Sequence, residues 1–193
     1  MRNGGLGSVV PHSSNSARDH SDSTLRELLD KQEIHEAILR YCRGIDRADE
    51  ELIESTFHPG ARQNHAGTDQ PTSDLTKGLQ NPARRILKSV THTISNVLIN
   101  VDKDVADAES YFVATHRLHK DGMRFDWVVG GRYLDRFERR NSVWGVVHKV
   151  AVYDWDRLDE VSDYPSGLDM VLSIQEGLRG TQDRNDPSYK VWR

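Results

Sequence analysis

The stretch from Thr91 to Trp155 constrains the fold most. Thr91, Thr93, Ser95, Val97, Ile99 and Val101 alternate with His92, Ile94, Asn96, Leu98 and Asn100. That is the period of a strand, whose side chains point to opposite faces in turn. Asp102-Lys103-Asp104 makes a tight turn into a second strand, about Val105 to His119. Lys120-Asp121-Gly122 leads to a third, about Arg124 to Arg139, and Arg140-Asn141-Ser142 to a fourth, about Val143 to Trp155. Long strands joined this closely form an antiparallel meander. Such strands twist and curl, so the sheet should wrap around whatever precedes it and leave a cavity between. Gly130-Gly131, in mid-strand, fits a bulge or sharp bend that permits the curvature.

What precedes the sheet is helical. Ile34, Ile38, Tyr41, Cys42 and Ile45 recur at helical spacing, so one apolar face runs down to the carboxylate of Asp46. Thr24 with Glu27, and Asp30 with Glu33, each fit a capping box, so the helix starts near Thr24 or restarts near Asp30. Gly44 stands near its end. A short second helix is expected from Asp49 to Phe57, with Leu52, Ile53 and Phe57 inward and His58-Pro59-Gly60 as the stop. Tyr41 and Asp46 would reach the rim of the cavity together, where His92 on an inward-facing strand completes a general-base pair with the acid.

The fold class is therefore α+β, with N-terminal helices packed into a strongly curved antiparallel sheet. Residues 1–23, rich in Gly, Ser, Asn and His, are expected to be a disordered tail and 24–157 the domain. Residues 158–193 form a C-terminal extension, with a short helix from Ser166 to Leu178. From Ala61 to Asn81 the composition reads as irregular chain covering one end of the cavity. Asn81-Pro82 supplies a cap and a first-turn proline for a short helix through Leu87.

A net charge of -4 supplies no excess of cations to displace phosphate counterions, which argues against nucleic acid. Arg84-Arg85 and Arg139-Arg140 are short, flanked by acids, and read as solvated surface. Cys42 is the single cysteine, so no intramolecular disulfide forms and a cytoplasmic setting is favoured. On the apolar helix face it reads as a buried, inert thiol. No run of about 18 apolar residues suggests a membrane span, and the first residues lack a secretory pattern. His116 and His119 are three apart and would point to opposite faces of a strand, and no cysteine or tight carboxylate cluster accompanies the other histidines, so no metal is expected. Gly130-Gly131 is followed by no helix and makes no phosphate loop.

Helices first and a curled sheet after them, with Tyr41 to Asp46, Thr91-His92-Thr93-Ile94-Ser95-Asn96, Gly130-Gly131-Arg132-Tyr133 and Phe137-Glu138-Arg139-Arg140 before Trp144, resemble the SnoaL-like branch of the NTF2-like cone fold. The resemblance covers roughly Leu25 to Arg157. Within that branch the chain is similar to the group holding bile acid 7α-dehydratase and γ-hexachlorocyclohexane dehydrochlorinase. The resemblance implies a barrel with one open end, a deep apolar pocket for a small apolar molecule, no cofactor, and a homo-oligomer, either trimer or dimer. It puts the family's aspartate on Asp46, its catalytic histidine on His92, and the tyrosine five residues before the aspartate on Tyr41. A basic substrate-binding residue of the last strand falls on Lys149, which keeps the charge of an arginine but loses its two-pronged geometry. Gln63 takes the substrate-binding place of an aromatic residue, so the dehydrochlorinase's own substrate is not implied.

These residues suit a lyase or an isomerase. Asp46 would orient His92 and stabilise its imidazolium while the other ring nitrogen takes a proton from carbon. Tyr41 could donate to a departing hydroxyl or an enolate oxygen, and Lys149 could hold developing charge. The expected substrate is a small, apolar, hydroxylated alicyclic, steroid-like or polyketide-like compound. Elimination and isomerisation use the same apparatus and stay undivided. The alternative is a noncatalytic ligand-binding or scaffold module of the same cone, such as a partner resembling a dioxygenase small subunit.

Overall fold

The computed structural model describes residues 14–79, 81, 86–162 and 179–191. Helix α1, Ser14–Arg47, is followed by α2, Glu50–Glu54, and by a hairpin of β1, Phe57–His65, and β2, Thr68–Pro71. A third helix, α3, spans Ser73–Leu79. The meander then follows as β3, Leu87–Asp102; β4, Val105–Lys120; β5, Met123–Arg140; and β6, Val143–Glu160. A last turn of helix, α4, is Ser188–Val191. One six-stranded sheet has the order β2-β1-β6-β5-β4-β3. The four meander strands pair antiparallel as expected, with β3 exposed as an edge.

Three expectations are corrected. Helix α1 begins at Ser14, ten residues before Thr24, and neither Thr24 nor Asp30 starts it. No Gly or Pro interrupts residues 12–43, so the helix propagates backward from its packed turns at little cost per residue. Its side chains from 21 to 29 are all exposed, and burial begins at Asp30. The second helix stops at Glu54, and Phe57 and the His58-Pro59-Gly60 stop lie in β1. Residues 61–81 hold a β-hairpin and α3 rather than irregular chain. β1 pairs parallel to β6, a contact between segments some eighty residues apart that no local pattern announces. The helices expected over 82–87 and 166–178 lie outside the described residues, apart from Ile86, which is exposed, and Leu87, which opens β3.

Asp30 and Arg139 show why α1 seats where it does. The Asp30 carboxylate accepts from Arg139 Nη1 at 2.6 Å and from the Trp144 indole at 3.0 Å, and the Arg139 guanidinium lies over the Trp144 ring. Arg139 is thus a half-buried clamp between helix and sheet, and not the solvated surface that its flanking charges suggest. Below it, Ile34, Ala37 and Ile38 pack on Ala106, Ala108, Phe137 and Val146. Gly44 lets α2 approach, because a Cβ there would stand 2.6 Å from Ile53 Cγ1.

Curvature of the sheet has identifiable causes. At Gly130 and Gly131 the β5–β6 register slips by one residue. A Cβ on Gly131 would stand 2.1 Å from the Val152 carbonyl, and one on Gly130 would enter the Trp155 indole. A second slip lies in β3 between Ser95 and Leu98, where Asn96 has a left-handed φ of 47°. This bulge reverses the alternation, so His92 and Ile94 before it share the inner face with Val97, Ile99 and Val101 after it. An unbroken period would have put the histidine on the opposite face from those three.

Candidate active site

Asp46 occupies the last turn of α1, and the chain leaves through Ala48 at a left-handed φ of 48°. Its side chain crosses to β3. Asp46 Oδ1 lies 2.6 Å from His92 Nδ1, and Oδ2 accepts the His92 backbone N–H at 3.1 Å. An edge strand leaves half its amides without a strand partner, and the aspartate fills that role at His92. One carboxylate therefore fixes both the backbone and the ring of one histidine. An ionised carboxylate can only accept, so in the neutral imidazole this contact favours the tautomer with the proton on Nδ1 and the lone pair on Nε2. His92 and Asp46 are both nearly enclosed. The His92 ring is flanked by Phe112 and His116, at centroid distances of 6.4 and 6.5 Å.

The pair borders a hollow of about 710 Å³ between α1 and β3, with Cys42, Leu39, Leu52 and Ile94 as apolar wall and arginines along its helix side. Cys42 sits one turn before Asp46 on the same helix face. Its thiol is buried, and burial pushes its pKa up to about 12, so it stays protonated and unreactive.

Tyr41 does not border this hollow. Five residues on a helix turn about 500°, which leaves Tyr41 about 140° away from Asp46 around the axis. Its ring packs edge-on against Phe57 and Tyr133, both at 5.8 Å, and burial holds its hydroxyl well above the usual phenol range. Tyr133 stacks on Phe112 at 4.3 Å. This aromatic layer fills the depth of the cone, with Lys149 Nζ wedged 4.4 Å from the Tyr41 ring and 4.1 Å from the Tyr133 ring.

Lys149 and Gln63 also sit where a substrate would not meet them. Lys149 Nζ donates to Asp135 at 2.8 Å, and both side chains are sealed from solvent. Burial raises the Asp135 pKa, against the opposing pull of the Lys149 charge. Gln63 pairs in register with Lys149 on β1 and is 1% exposed, its Nε2 without a hydrogen bond. Strand parity explains this, since Ala61 and Gln63 face the core while Arg62 between them faces out. His58 is likewise structural, with its ring against Gly145 and Nε2 2.9 Å from the Glu138 carbonyl.

Sequence reasoning missed the C-terminal segment beside the site. Asp49 caps α2 through the Leu52 amide, and the same carboxylate accepts from Tyr189 Oη at 2.5 Å and from Arg184 at 3.1 Å. Arg43 donates to Ser188 Oγ, and Arg47 pairs with Asp186 at 3.2 Å. The segment carries no periodicity, and its acids and arginine find partners only in three dimensions. Among the described residues no group of histidine, cysteine or carboxylate side chains is placed to hold a metal ion, and no helix is long and apolar enough to cross a membrane.

A SnoaL-like domain model matches residues 26–150, nearly two thirds of the chain and the whole span from Asp30 through the Lys149 core. The chain belongs to the SnoaL-like family. No curated protein matches its sequence. Solved structures of the same fold include a candidate scytalone dehydratase from Novosphingobium aromaticivorans, 20% identical, with a TM-score of 0.63 over 75% of this chain and 97% of that one. The hexachlorocyclohexane dehydrochlorinase LinA type 2 is 16% identical, with a TM-score of 0.63 over 75% and 99%. Kfla4162 from Kribbella flavida is 20% identical, with a TM-score of 0.61 over 68% and 95%. At these identities the likeness concerns the fold, and this SnoaL-like chain has the helix-then-cone arrangement of the NTF2-like branch.

Proposed function

We propose that this SnoaL-like protein is a cofactor-independent lyase or isomerase acting on a small, apolar, hydroxylated alicyclic compound, steroid-like or polyketide-like. The observation that supports it is the 2.6 Å contact of Asp46 Oδ1 with His92 Nδ1 at the edge of an open hollow. His92 Nε2 is the general base. It removes a proton from a carbon activated by a neighbouring carbonyl or leaving group, and Asp46 stabilises the imidazolium that results. Elimination follows when the imidazolium returns that proton to the β-hydroxyl, whose C–O bond breaks to release water as the carbon–carbon double bond forms. Isomerisation follows when the proton returns at another carbon.

Tyr41 and Lys149 have no place in this mechanism, because each is enclosed in the core. Dehydratase and dehydrochlorinase neighbours of the same fold support the reaction class, and the apolar wall of Leu39, Leu52 and Ile94 supports the substrate class. We read the chain as a cytoplasmic homo-oligomer, a dimer or trimer, on its lone buried cysteine and on Leu98, Tyr111, Val113 and Leu134, which stand exposed on the outer sheet face.

The test is a screen of hydroxylated steroids and alicyclic ketols for the ultraviolet change of a new conjugated double bond. His92→Ala should abolish any turnover found while leaving the fold intact. Undiminished turnover in that variant would remove the mechanism. A second reading, a noncatalytic binding or scaffold module, draws on the aromatic layer of Tyr41, Phe112 and Tyr133 that fills the depth of the cone. Copurification with a large partner, together with no turnover across the panel, would favour it.

A further inference from the structure

Three arginines on α1, Arg40, Arg43 and Arg47, line the same hollow as the Asp46–His92 pair. Two of them are engaged. Arg43 donates to Ser188 and lies 5.1 Å from the Tyr189 ring centroid, and Arg47 pairs with Asp186. Arg40 makes no hydrogen bond or ion pair among the described residues, and its Nε is buried without a partner. Its natural intrahelical partner, Glu36 one turn earlier, instead accepts the Gln32 amide at 2.9 Å. The buried Nε is closed to solvent, so the terminal nitrogens of this half-buried side chain are what the hollow can reach, beside the Glu36 carboxylate and the apolar wall of Leu39, Cys42, Leu52 and Ile94, and they suit an anion that arrives with a ligand.

We propose that Arg40 anchors a carboxylate carried by the substrate, so that the compounds turned over at His92 are hydroxylated alicyclic acids. The proposal rests on the reading of His92 as base and adds the chemical class at the far end of the substrate. Arg40 and Asp46 are six residues apart on one helix, a rise of about 9 Å. The carboxylate and the reacting carbon should therefore be separated by roughly the length of two fused rings. A singly charged group fits better than a phosphate dianion. A dianion would call on a second guanidinium, and Arg43 and Arg47 are already committed to the C-terminal segment.

The full-length protein is titrated calorimetrically with naphthaleneacetate and with naphthaleneacetamide, which share an apolar body and differ in charge. Wild type should bind the acid at least tenfold tighter than the amide. Arg40→Gln should lose that preference while binding the amide unchanged, and Arg40→Lys should restore part of it. Because Arg40 makes no hydrogen bond or ion pair among the described residues and glutamine keeps part of its stem, the Arg40→Gln variant should fold normally, which circular dichroism checks. His92→Ala should keep the acid preference intact, so the anchor and the base fail separately. No binding of the acid, equal binding of acid and amide, an unchanged preference in Arg40→Gln, or displacement of the acid by equimolar inorganic phosphate would each overturn the proposal.

Discussion

Asp46 grips His92 twice, at the ring Nδ1 and at the backbone amide, so one carboxylate sets the position of the imidazole. The two residues are 46 positions apart. The contact joins the end of α1 to the free edge of the sheet, and its catalytic and structural consequences can be separated by substitution.

Asp46→Asn keeps the size of the side chain and one good acceptor but removes the charge that stabilises a protonated imidazole. On the proposed mechanism turnover should fall by about 10²- to 10⁴-fold with little change in fold. Asp46→Ala additionally strands the His92 amide, and equilibrium urea unfolding should show a loss of about 1–3 kcal/mol. Equal stability of the two variants would mean that the backbone bond contributes nothing.

Lys149 and Asp135 behave as a buried pair rather than as substrate ligands. Asp135→Asn leaves the ammonium without a counter-charge and should cost about 3–5 kcal/mol. Replacing both with apolar side chains of similar volume should be close to neutral. Lys149→Met that changes substrate affinity without changing stability would contradict the burial argument.

Asp30 ties α1 to the sheet through Arg139 and Trp144. Asp30→Ala leaves the indole N–H unsatisfied and should lower stability by about 1–3 kcal/mol. Residues 21–29, which are exposed, should then exchange their amide hydrogens no more slowly than before, since they never packed. Trp144 fluorescence reports the change locally.

Cys42 gives a pH signature. Its folded pKa is raised by burial from 9.0 to about 12. Between those values the unfolded chain has released the proton and the folded chain has not, so the unfolded state binds fewer protons. Stability falls as pH rises through that window and is fully present below it. Cys42→Ala should reduce the alkaline loss in urea titrations from pH 9 upward, and Tyr41, raised in the same direction, accounts for part of what remains. The native thiol should resist iodoacetamide until the protein unfolds.

Much of the architecture could be read from period and turn chemistry, because the meander strands follow one another in sequence and their turns carry Asp, Asn and Gly. Meeting of Asp46 with His92 was legible from the family register. What escaped is what local pattern cannot carry. A single residue at Asn96 resets the parity of β3, the β1–β6 pairing joins distant segments, and Arg139 reaches the buried Asp30 while also pairing with the exposed Asp104. Tyr41 fell out of the site by helix arithmetic alone. Correspondence with a relative's pocket points to Lys149 and Gln63 as substrate contacts, yet here both pack into the core.

The account turns on His92 presenting a bare Nε2 while Asp46 holds the Nδ1 proton. Two-bond proton–nitrogen correlation spectra of the ¹⁵N-labelled protein above neutral pH measure this without any substrate. The expected spectrum has Nδ1 protonated and Nε2 unprotonated in wild type, with the preference weakened in Asp46→Asn. A proton on Nε2 with Nδ1 bare would leave no base facing the hollow and would contradict the proposal.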